Sequence, residues 1–361
     1  MFFVRYSFFN PYTMKKTVSV IVRILFIPVF LFILFLLFFT VVEYRPKDRI
    51  GLFSALVADT ICVDTLYSSL IWNTGYAGLG ANMDFFYDGG KNVRDTRENV
   101  MKNFKAVCSI LASNDSVDFI LLQEVDQSSK RSYRINQFYA YDSILGGHQG
   151  FLGLNYNAGF VPVPVNAPLG KVKSGIVSYC SLAPIEVNRY AFKGNYSWPK
   201  RLFMLKRCFL VNSYPTNNGK ELSVINIHNS AYDDGSLRAQ QLNLLKEFAL
   251  EEYEKGNYIL FGGDWNQCPY NFKPQYNQPF DTLNLSYLPG DFLENWKKIY
   301  SDSVPSNRRI KTPYTKGQTL TTVIDFYIAS PNISVVNVKP HDMDFLFSDH
   351  QPLLIRFILN D

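Results

Sequence analysis

The sequence predicts an α/β domain preceded by one apolar helix that crosses a membrane. Three observations support this prediction: a long apolar stretch near the N-terminus, several short apolar runs typical of buried strands, and two amphipathic helices between those runs. Of the 361 residues, roughly 310 follow the apolar stretch, which is enough for one large domain with a substantial core.

The apolar stretch occupies residues 24–42, nineteen positions without a charged side chain. A helix of this length can cross a bilayer core of about 30 Å. A cleavable signal peptide is the alternative, although its apolar core usually has only about 7 to 15 residues. The sequence therefore divides into a basic N-terminal segment (1–23), a transmembrane helix (24–42), a juxtamembrane linker (43–65) and a large C-terminal domain (66–361).

Charged residues favour one orientation of this helix only slightly. The first fifty residues carry seven Lys and Arg and two Asp and Glu, which accounts for the whole net charge of +5. Basic side chains flank the helix on both sides, and Arg5 gives the N-terminal side a small excess. Under the positive-inside rule we expect the N-terminus in the cytoplasm and the C-terminal domain on the extracytoplasmic side.

Five short apolar runs predict buried strands. They lie at residues 70–71, 119–122, 224–227, 258–261 and 322–324. Polar residues follow these runs. The burial of a polar group at the end of a strand costs free energy unless the group binds a partner or a ligand. Together with a late Ser-Asp-His triplet, these residues are Asn73, Glu124, His228, Asp264, Asn266, Asp325, Asp349 and His350.

Two helices are predicted between the apolar runs, over residues 95–113 and 236–255. The apolar side chains of the first helix recur at spacings of four, three and four, which places them on one face. They are Val100, Phe104, Val107 and Leu111. Residues 75–92 and 146–173 are predicted to be long loops, the second because it is rich in Gly, Asn and Pro.

The polar residues supply the groups that hydrolysis of a phosphoester needs, namely a site for a cation, a base for water and a donor for the leaving oxygen. Asn73, Glu124 and Asp349 offer the hard oxygen ligands that Mg²⁺ prefers. His350 is suited to be the general base, and the Asp325 carboxylate is suited to fix its tautomer and orientation. The five cysteines lack the paired spacing of a zinc site.

The order of these motifs resembles the endonuclease/exonuclease/phosphatase superfamily over roughly residues 66–359. The motifs are Trp72-Asn73, Gln123-Glu124, His228, Gly263-Asp264-Trp265-Asn266, Asp325 and Ser348-Asp349-His350. The resemblance implies a four-layer sandwich of two mixed β-sheets flanked by helices. It also makes the domain of residues 66–361 a catalytic domain of this type.

The resemblance implies a role for each site residue. Asn73, Glu124 and Asp349 would hold Mg²⁺ or Mn²⁺. Asp264 and Asn266 would orient the phosphate, and Asp325 would steer His350. The stretch that begins at His228 and has Ala231 three residues later is similar to one found in the deoxyribonuclease I and sphingomyelinase branches. His228 is therefore included among the catalytic candidates.

Each motif alone also has a structural explanation. A Gln-Glu pair after an apolar run is usually a strand end that meets solvent, and Asp264 alone fits an N-capping turn. His228 alone fits a core histidine with satisfied hydrogen bonds. The basic pairs at 130–131, 206–207 and 308–309 are interpreted as solvated loop charges. The joint order of the six motifs favours the catalytic interpretation.

The sequence therefore predicts a membrane-anchored, Mg²⁺- or Mn²⁺-dependent hydrolase of phosphodiesters or phosphomonoesters, with His350 as the general base. A DNA endonuclease of the deoxyribonuclease I type is the alternative, and a catalytically decayed, membrane-tethered phosphate-binding module is the alternative from another class. The absence of net charge after residue 50 favours a phospholipid headgroup or a small phosphoester over DNA, because nonspecific DNA binding relies on a basic surface. The lipid bilayer is the expected partner of residues 24–42.

Overall fold

The apolar runs of the sequence form central strands of two mixed β-sheets in the computed structural model, which describes residues 11–273 and 285–361. The strands are β1 (Arg49–Ser54), β2 (Tyr67–Asn73), β3 (Phe119–Asp126), β4 (Gln149–Val161), β5 (Gly170–Cys180), β6 (Glu186–Ala191), β7 (Cys208–Pro215), β8 (Glu221–His228), β9 (Tyr258–Asp264), β10 (Lys297–Ile299), β11 (Asn307–Arg308), β12 (Thr321–Thr322), β13 (Asp325–Ala329), β14 (Ile333–Pro340) and β15 (Leu353–Leu359). The helices are α1 (Pro11–Val41), α2 (Arg97–Ala112), α3 (Gln137–Ile144) and α4 (Ser236–Glu254), with short 3₁₀ helices at Gly75–Ala77, Phe86–Asp88 and Lys200–Phe203.

One sheet has seven strands in the order β1-β6-β7-β8-β9-β13-β10, and the other has six in the order β14-β15-β2-β3-β5-β4. The pairs β2 with β3 and β8 with β9 are parallel, whereas the other neighbours in these sheets are antiparallel. A parallel pair needs a crossover connection. The connections that contain α2 and α4 supply it, so each parallel pair ends at a single edge of its sheet.

Side chains that alternate along the strands build a separate core on each face of each sheet. In β3, Leu121 lies in the core between the two sheets, whereas Leu122 lies in the core that it shares with Val107 of α2. On the other side of the molecule, Phe261 of β9 shares a core with Leu245 of α4. The resulting order of helix, sheet, sheet and helix confirms the predicted four-layer α/β sandwich.

The two amphipathic helices form close to their predicted bounds. Helix α2 buries Val100, Val107 and Leu111 of the predicted stripe. Its first turn is capped by Thr96, whose side chain accepts a hydrogen bond from the backbone N–H of Asn99. Helix α4 matches the second prediction to within one residue. The short helix α3 has no counterpart among the sequence predictions.

The prediction of a long loop over residues 146–173 is wrong. Most of this segment forms β4 and the start of β5, which pair as a long antiparallel hairpin. The glycines that suggested a loop instead permit close packing, because a Cβ on Gly153 would lie 2.6 Å from Leu210 Cδ2. A Cβ on Gly175 would lie 2.5 Å from the carbonyl oxygen of Gly153.

The strand predicted at residues 322–324 is misplaced. The longer strand in this region is β13, which begins at Asp325. Because β13 runs antiparallel to β9, its first residue lies opposite Asp264, the last residue of β9. Asp325 therefore reaches the same sheet edge from the start of a strand and not from the end of one.

The N-terminal helix extends beyond the predicted apolar stretch on its N-terminal side. The part of α1 formed by residues 23–41 is long enough and apolar enough to cross a membrane. Part of the segment predicted as a linker, β1, pairs with β6 at the edge of the larger sheet, where Phe53 packs against Phe151. The linker is therefore partly integrated into the domain. The first ten residues of the predicted basic segment lie outside the described residues.

Candidate active site

The sheet topology brings the predicted site residues to one edge of the sandwich. Asn73 ends β2, His228 ends β8, Asp264 ends β9 and Asp325 begins β13. Glu124 lies in β3 at a β-bulge and has a φ of 57°, a left-handed conformation that is strained for a residue with a side chain. The site thus draws on both sheets.

Asp325 and His350 form a buried hydrogen-bonded pair, in which His350 Nδ1 lies 2.7 Å from Asp325 Oδ2. Ser306 Oγ donates to the same carboxylate oxygen at 2.8 Å and accepts from the backbone N–H of Asp325 at 2.9 Å. This network fixes the carboxylate, which in turn holds a proton on Nδ1 of the ring.

The second nitrogen of the His350 ring is directed toward other polar groups of the site. Its Nε2 lies 3.0 Å from Asn307 Nδ2, 3.8 Å from Asp349 Oδ2 and 4.0 Å from Asp264 Oδ2. Although burial by itself favours the neutral ring, the Asp325 and Asp349 carboxylates raise the pKa of His350 well above its ordinary value. Nε2 is therefore the atom that can exchange a proton with a ligand.

Asp264 joins the two sheets through its side chain. Oδ2 accepts a hydrogen bond from Asn73 Nδ2 at 2.9 Å and lies 3.4 Å from His228 Nε2. Oδ1 accepts from the backbone N–H of Asn266 at 2.9 Å. Burial and the neighbouring Asp325 carboxylate raise the pKa of Asp264 to about 7.

His228 and Asn266 belong to the same cluster. Burial, together with the positive charge of Arg207 and of His350, lowers the pKa of His228 well below its ordinary value. His228 is therefore a neutral partner of Asp264. Asn266 donates from its side chain to the carbonyl oxygen of Asn229 at 2.8 Å. The catalytic roles of both residues stay predictions.

Glu124 and Asp349 have few hydrogen-bond donors around them. Among the described residues, the Glu124 carboxylate accepts from Asn73 at 3.5 Å, and the Asp349 carboxylate accepts from Ser348 at 3.4 Å. Burial, opposed by His350 and reinforced by Glu124, raises the pKa of Asp349 to about 7. Two carboxylates that receive so few hydrogen bonds from the protein are suited to bind a hard cation such as Mg²⁺ or Mn²⁺.

The third predicted ligand, Asn73, contacts the carboxylates through its amide nitrogen. Its Oδ1 accepts from the backbone N–H of Gly75 at 3.0 Å, while its Nδ2 faces Glu124 and Asp264. A rotation of the amide group by 180° would exchange the two atoms and direct the oxygen toward a cation. The role of Asn73 as a metal ligand therefore stays a prediction.

A different group of possible ligand atoms comes from Asp264, Asp325 and His350, which lie within 4.8 Å of one another. The 2.7 Å hydrogen bond already joins His350 to Asp325. Because that bond engages two of the three groups with each other, this set fits proton transfer better than a metal centre. Glu124 and Asp349 remain the carboxylates that are available to a cation.

Each basic pair interpreted as solvated loop charge contributes an arginine to the wall of the pocket at this site, and the interpretation is wrong for the buried Arg131 and Arg308. Arg131 is buried and pairs with Asp126 at 3.0 Å. Arg308 is buried and donates to three backbone carbonyls of residues 79–83. Arg207 differs, because its Nη1 is buried and has no hydrogen-bond partner among the described residues.

The pocket has a volume of about 500 Å³ and a partly aromatic wall. Tyr87 and Tyr232 stack with their ring centroids 5.6 Å apart, and the Tyr232 hydroxyl donates to Asp88 at 3.0 Å. The Tyr196 hydroxyl donates to the carbonyl oxygen of Tyr232. Tyr87 of the predicted loop 75–92 and Tyr196 thus both contact Tyr232 beside the site.

Sequence reasoning missed Ser306 and Asn307. Asn307 begins the two-residue strand β11, and Ser306 directly precedes it. Neither residue follows an apolar run, so neither carries the signal that identified the other site residues. Their proximity to His350 comes from the backbone, because Asn307 forms an isolated β-bridge with His350.

Comparison with known proteins identifies the family. The sequence profile of the Endonuclease/Exonuclease/phosphatase family matches residues 72–350, which is well over half of the chain. The matched range begins at Trp72 and ends at His350, the first and last residues of the motif series. The chain therefore belongs to the endonuclease/exonuclease/phosphatase family.

Solved structures share the fold. An endonuclease/exonuclease/phosphatase from Beutenbergia cavernae superposes with a TM-score of 0.56 at 15% identity, covering 82% of this chain and 72% of that chain. ANGEL2, a 2′,3′-cyclic phosphatase in complex with adenosine-2′,3′-vanadate, gives 0.53 at 14% identity, covering 88% of this chain and 100% of that chain. TDP2 from Caenorhabditis elegans gives 0.50 at 14% identity, covering 81% and 74%. At these identities the similarity establishes the fold alone.

A curated relative is more similar in sequence over a shorter range. A UPF0294 protein of Vibrio campbellii is 28% identical over 189 residues, which cover 52% of this chain and 56% of that protein. The alignment thus spans little more than half the length of either protein.

Proposed function

We propose that this member of the endonuclease/exonuclease/phosphatase family is a membrane-anchored, divalent-metal-dependent phosphoesterase that hydrolyses a phosphodiester or phosphomonoester bond. The observation that carries the proposal is the setting of His350. Asp325 holds its ring at 2.7 Å, and its Nε2 lies 4.0 Å from Asp264 in a pocket that also contains Glu124 and Asp349. This pocket offers the base, the acid and the hard oxygen ligands that phosphoester hydrolysis needs.

Glu124 and Asp349, with Asn73, are the residues that would hold the cation, which we propose to be Mg²⁺ or Mn²⁺. When bound, such a cation polarises the phosphoryl oxygens and stabilises the charge that develops on them. The support for this assignment is the donor set, since both carboxylates lie in the pocket with only long hydrogen bonds to other described residues.

The other side chains orient the substrate and move protons. His350 acts in its neutral form, which a positive charge at Glu124 and Asp349 would favour over the imidazolium that the carboxylates alone stabilise. It takes the proton of the attacking water at Nε2, and Asp325 stabilises the imidazolium that forms. Asp264 and Asn266 orient the phosphate, and Asp264 handles the proton of the leaving group. His228 stays neutral and supports Asp264 from 3.4 Å.

A phospholipid headgroup or a small phosphoester is the proposed substrate in preference to DNA. The pocket volume of about 500 Å³ and the Tyr87–Tyr232 stack in its wall suit a small group. The chain after residue 50 has no net charge, whereas nonspecific DNA binding relies on a basic surface. We further propose that α1 anchors the chain with its N-terminus in the cytoplasm and the catalytic domain on the extracytoplasmic side.

The test is hydrolysis by the full-length protein in detergent micelles. The substrates are bis(4-nitrophenyl) phosphate, 4-nitrophenyl phosphate, a short-chain phospholipid and plasmid DNA, each with Mg²⁺, with Mn²⁺ or with excess chelator. We expect turnover that requires the metal and that falls by about 10²–10⁴-fold in His350→Ala, as is typical for loss of a general base. His341→Ala is the matched control, since His341 does not line the pocket.

Several outcomes would contradict the proposal. Full activity in excess chelator would remove the metal from the mechanism, and near-normal turnover in His350→Ala would remove the base. Plasmid nicking that is strongly salt-sensitive and unmatched by any small or lipid phosphoester would favour the DNA endonuclease. The absence of turnover on every substrate would favour the phosphate-binding module.

A further inference from the structure

A second cavity adjoins the catalytic pocket on the side of α1. This juxtamembrane cleft has a volume of about 410 Å³ and lies between residues 43–46 and the segment 191–207. The residues that line both the cleft and the catalytic pocket are Met204, Leu205, Arg207, Ala231 and Tyr232. A ligand in the cleft would therefore lie directly beside the catalytic pocket.

The charges of the cleft are predominantly positive. The Glu43 carboxylate is surrounded by three cations, with Lys206 Nζ at 2.7 Å, Arg45 Nε at 3.0 Å and Arg201 Nε at 3.5 Å. Arg201 Nε is buried and lacks a hydrogen bond of good geometry among the described residues. These three cations outnumber the two carboxylates that line the cleft, Glu43 and Asp48, and the excess of positive charge favours an anionic ligand.

Arg207 adds a fourth positive charge where the cleft meets the catalytic pocket. Among the other arginines of the pocket wall, Arg131 is committed to Asp126, Arg238 to Asp233 and Arg308 to backbone carbonyls. Arg207 makes no side-chain hydrogen bond to any described residue, and its Nη1 is buried. Because Nη1 of this half-buried, permanently charged guanidinium is shielded from solvent, a ligand that accepts a hydrogen bond from Nη1 would compensate its lost hydration.

The cleft has a fixed position relative to α1. The helix ends at Val41, two residues before Glu43. Phe39 packs on Phe203 with ring centroids 5.5 Å apart, and Trp198 donates from its ring to Thr40 Oγ1 at 3.1 Å. With α1 in a bilayer, these contacts place the cleft at the level of the lipid phosphates, where half-exposed tryptophans such as Trp198 are common.

We propose that the juxtamembrane cleft is a phosphate-binding site, in which Arg201 and Arg207 hold the phosphate of a membrane phospholipid or of a soluble phosphate ester beside the catalytic pocket. The delivery of a substrate from this site rests on the proposed function. The binding of the phosphate does not, because it needs neither a metal nor turnover.

The test uses the full-length protein in phosphatidylcholine nanodiscs with excess chelator, so that no metal is available to bind phosphate. Glycerol 3-phosphate is titrated by calorimetry in one arm. In the other arm the nanodiscs contain phosphatidic acid, and the lipids that stay with the protein after detergent extraction are quantified. The variants are Arg201→Gln, Arg207→Gln and the control Lys200→Gln, which removes an equal charge from a residue that does not line the cleft.

We expect Arg201→Gln and Arg207→Gln each to weaken phosphate binding by about tenfold or more, the range of a lost charge-assisted hydrogen bond, and Lys200→Gln to change it less than about twofold. Enrichment of phosphatidic acid over phosphatidylcholine identifies a lipid as the source. Binding of glycerol 3-phosphate without such enrichment identifies a soluble ester, and either result supports the site.

Three results would overturn the site. The first is that the parent protein binds phosphate in neither arm. The second is that Lys200→Gln weakens binding as much as the cleft variants, which would indicate a general attraction to the bilayer. Loss in Arg207→Gln with no loss in Arg201→Gln would place the phosphate in the catalytic pocket. Because hydrolysis is blocked by the chelator, failure here leaves the phosphoesterase test unaffected, and failure of hydrolysis leaves this test unaffected.

Discussion

The catalytic pocket and the juxtamembrane cleft share a wall, yet the charges with few partners inside the protein are carboxylates in the pocket and cations in the cleft. The pocket gathers carboxylates, and Glu124 and Asp349 have only long hydrogen bonds to the described residues around them. The cleft gathers cations around Glu43, and these cations outnumber its two lining carboxylates, Glu43 and Asp48. By contrast, the buried positive charge of Arg131 is balanced by the carboxylate of Asp126. The contrast indicates that the two cavities await ligands of opposite sign.

The largest expected effect concerns the carboxylates of the pocket. We expect chelation to abolish turnover and Mg²⁺ or Mn²⁺ to restore it, because Glu124 and Asp349 otherwise lie in the pocket without a cation to balance their charges. Glu124→Gln should raise the metal concentration needed for half-maximal rate by about 10²-fold or more while the fold persists. Metal-dependent rate curves and circular dichroism measure the two effects.

Glu247→Gln, which alters an exposed carboxylate on α4, serves as the control for that experiment. A Glu124→Gln protein with an unchanged metal requirement would contradict the conclusion that the pocket carboxylates bind a cation and thereby differ from the cleft.

The next effect concerns Asp325, whose carboxylate is hydrogen-bonded to His350 and Ser306. Asp325→Asn should lower kcat by up to the ~10²–10⁴-fold expected for loss of His350 itself, because the amide no longer stabilises the imidazolium. The metal requirement should stay the same, because Asp325 is committed to His350 and Ser306. Ser306→Ala should reduce kcat in the same direction by a smaller factor.

Separate measurements of kcat, KM and metal dependence decide this prediction, with the exposed Asp115→Asn as the control. If Asp325→Asn changed the metal requirement as strongly as Glu124→Gln, Asp325 would belong to the metal site and not to the histidine.

The smallest effect concerns the cleft. Glu43→Gln removes the carboxylate that Lys206, Arg45 and Arg201 surround, so we expect glycerol 3-phosphate to bind more tightly by a few-fold, up to about tenfold. Calorimetry in excess chelator measures this change. Glu186→Gln is the control, because that carboxylate pairs with Arg49 on an exposed surface. Equal or weaker binding in Glu43→Gln would show that the cations of the cleft do not act on a phosphate.

The sequence predicts best where a signal is local. The apolar runs of β2, β3, β8 and β9 and the stripes of α2 and α4 reflect burial that each segment imposes on its own residues, and all of them form as expected. The site residues at or near the ends of each parallel pair could be placed together, because parallel strands joined by a crossover helix end at one edge of their sheet.

The remaining features depend on tertiary contacts that leave no local pattern. Asn307 reaches His350 through a two-residue strand that is too short to be recognised in the sequence. Arg207 reads as an exposed loop charge, and only the packing of the segment before β7 shows that its Nη1 is buried. The sequence of β4 predicts a loop because it is rich in glycine. In the structure, Gly153 instead permits close packing against Leu210.

The strand β1 limits how far the catalytic domain can travel. Only residues 42–48 separate the end of α1 from β1, and seven extended residues span at most about 25 Å. The packing of Phe39 on Phe203 shortens this reach further. With α1 in a bilayer, the active site would sweep a thin layer of solution and would meet a membrane-bound substrate by lateral diffusion. The rate would then follow the surface density of a substrate in the membrane more closely than its bulk concentration.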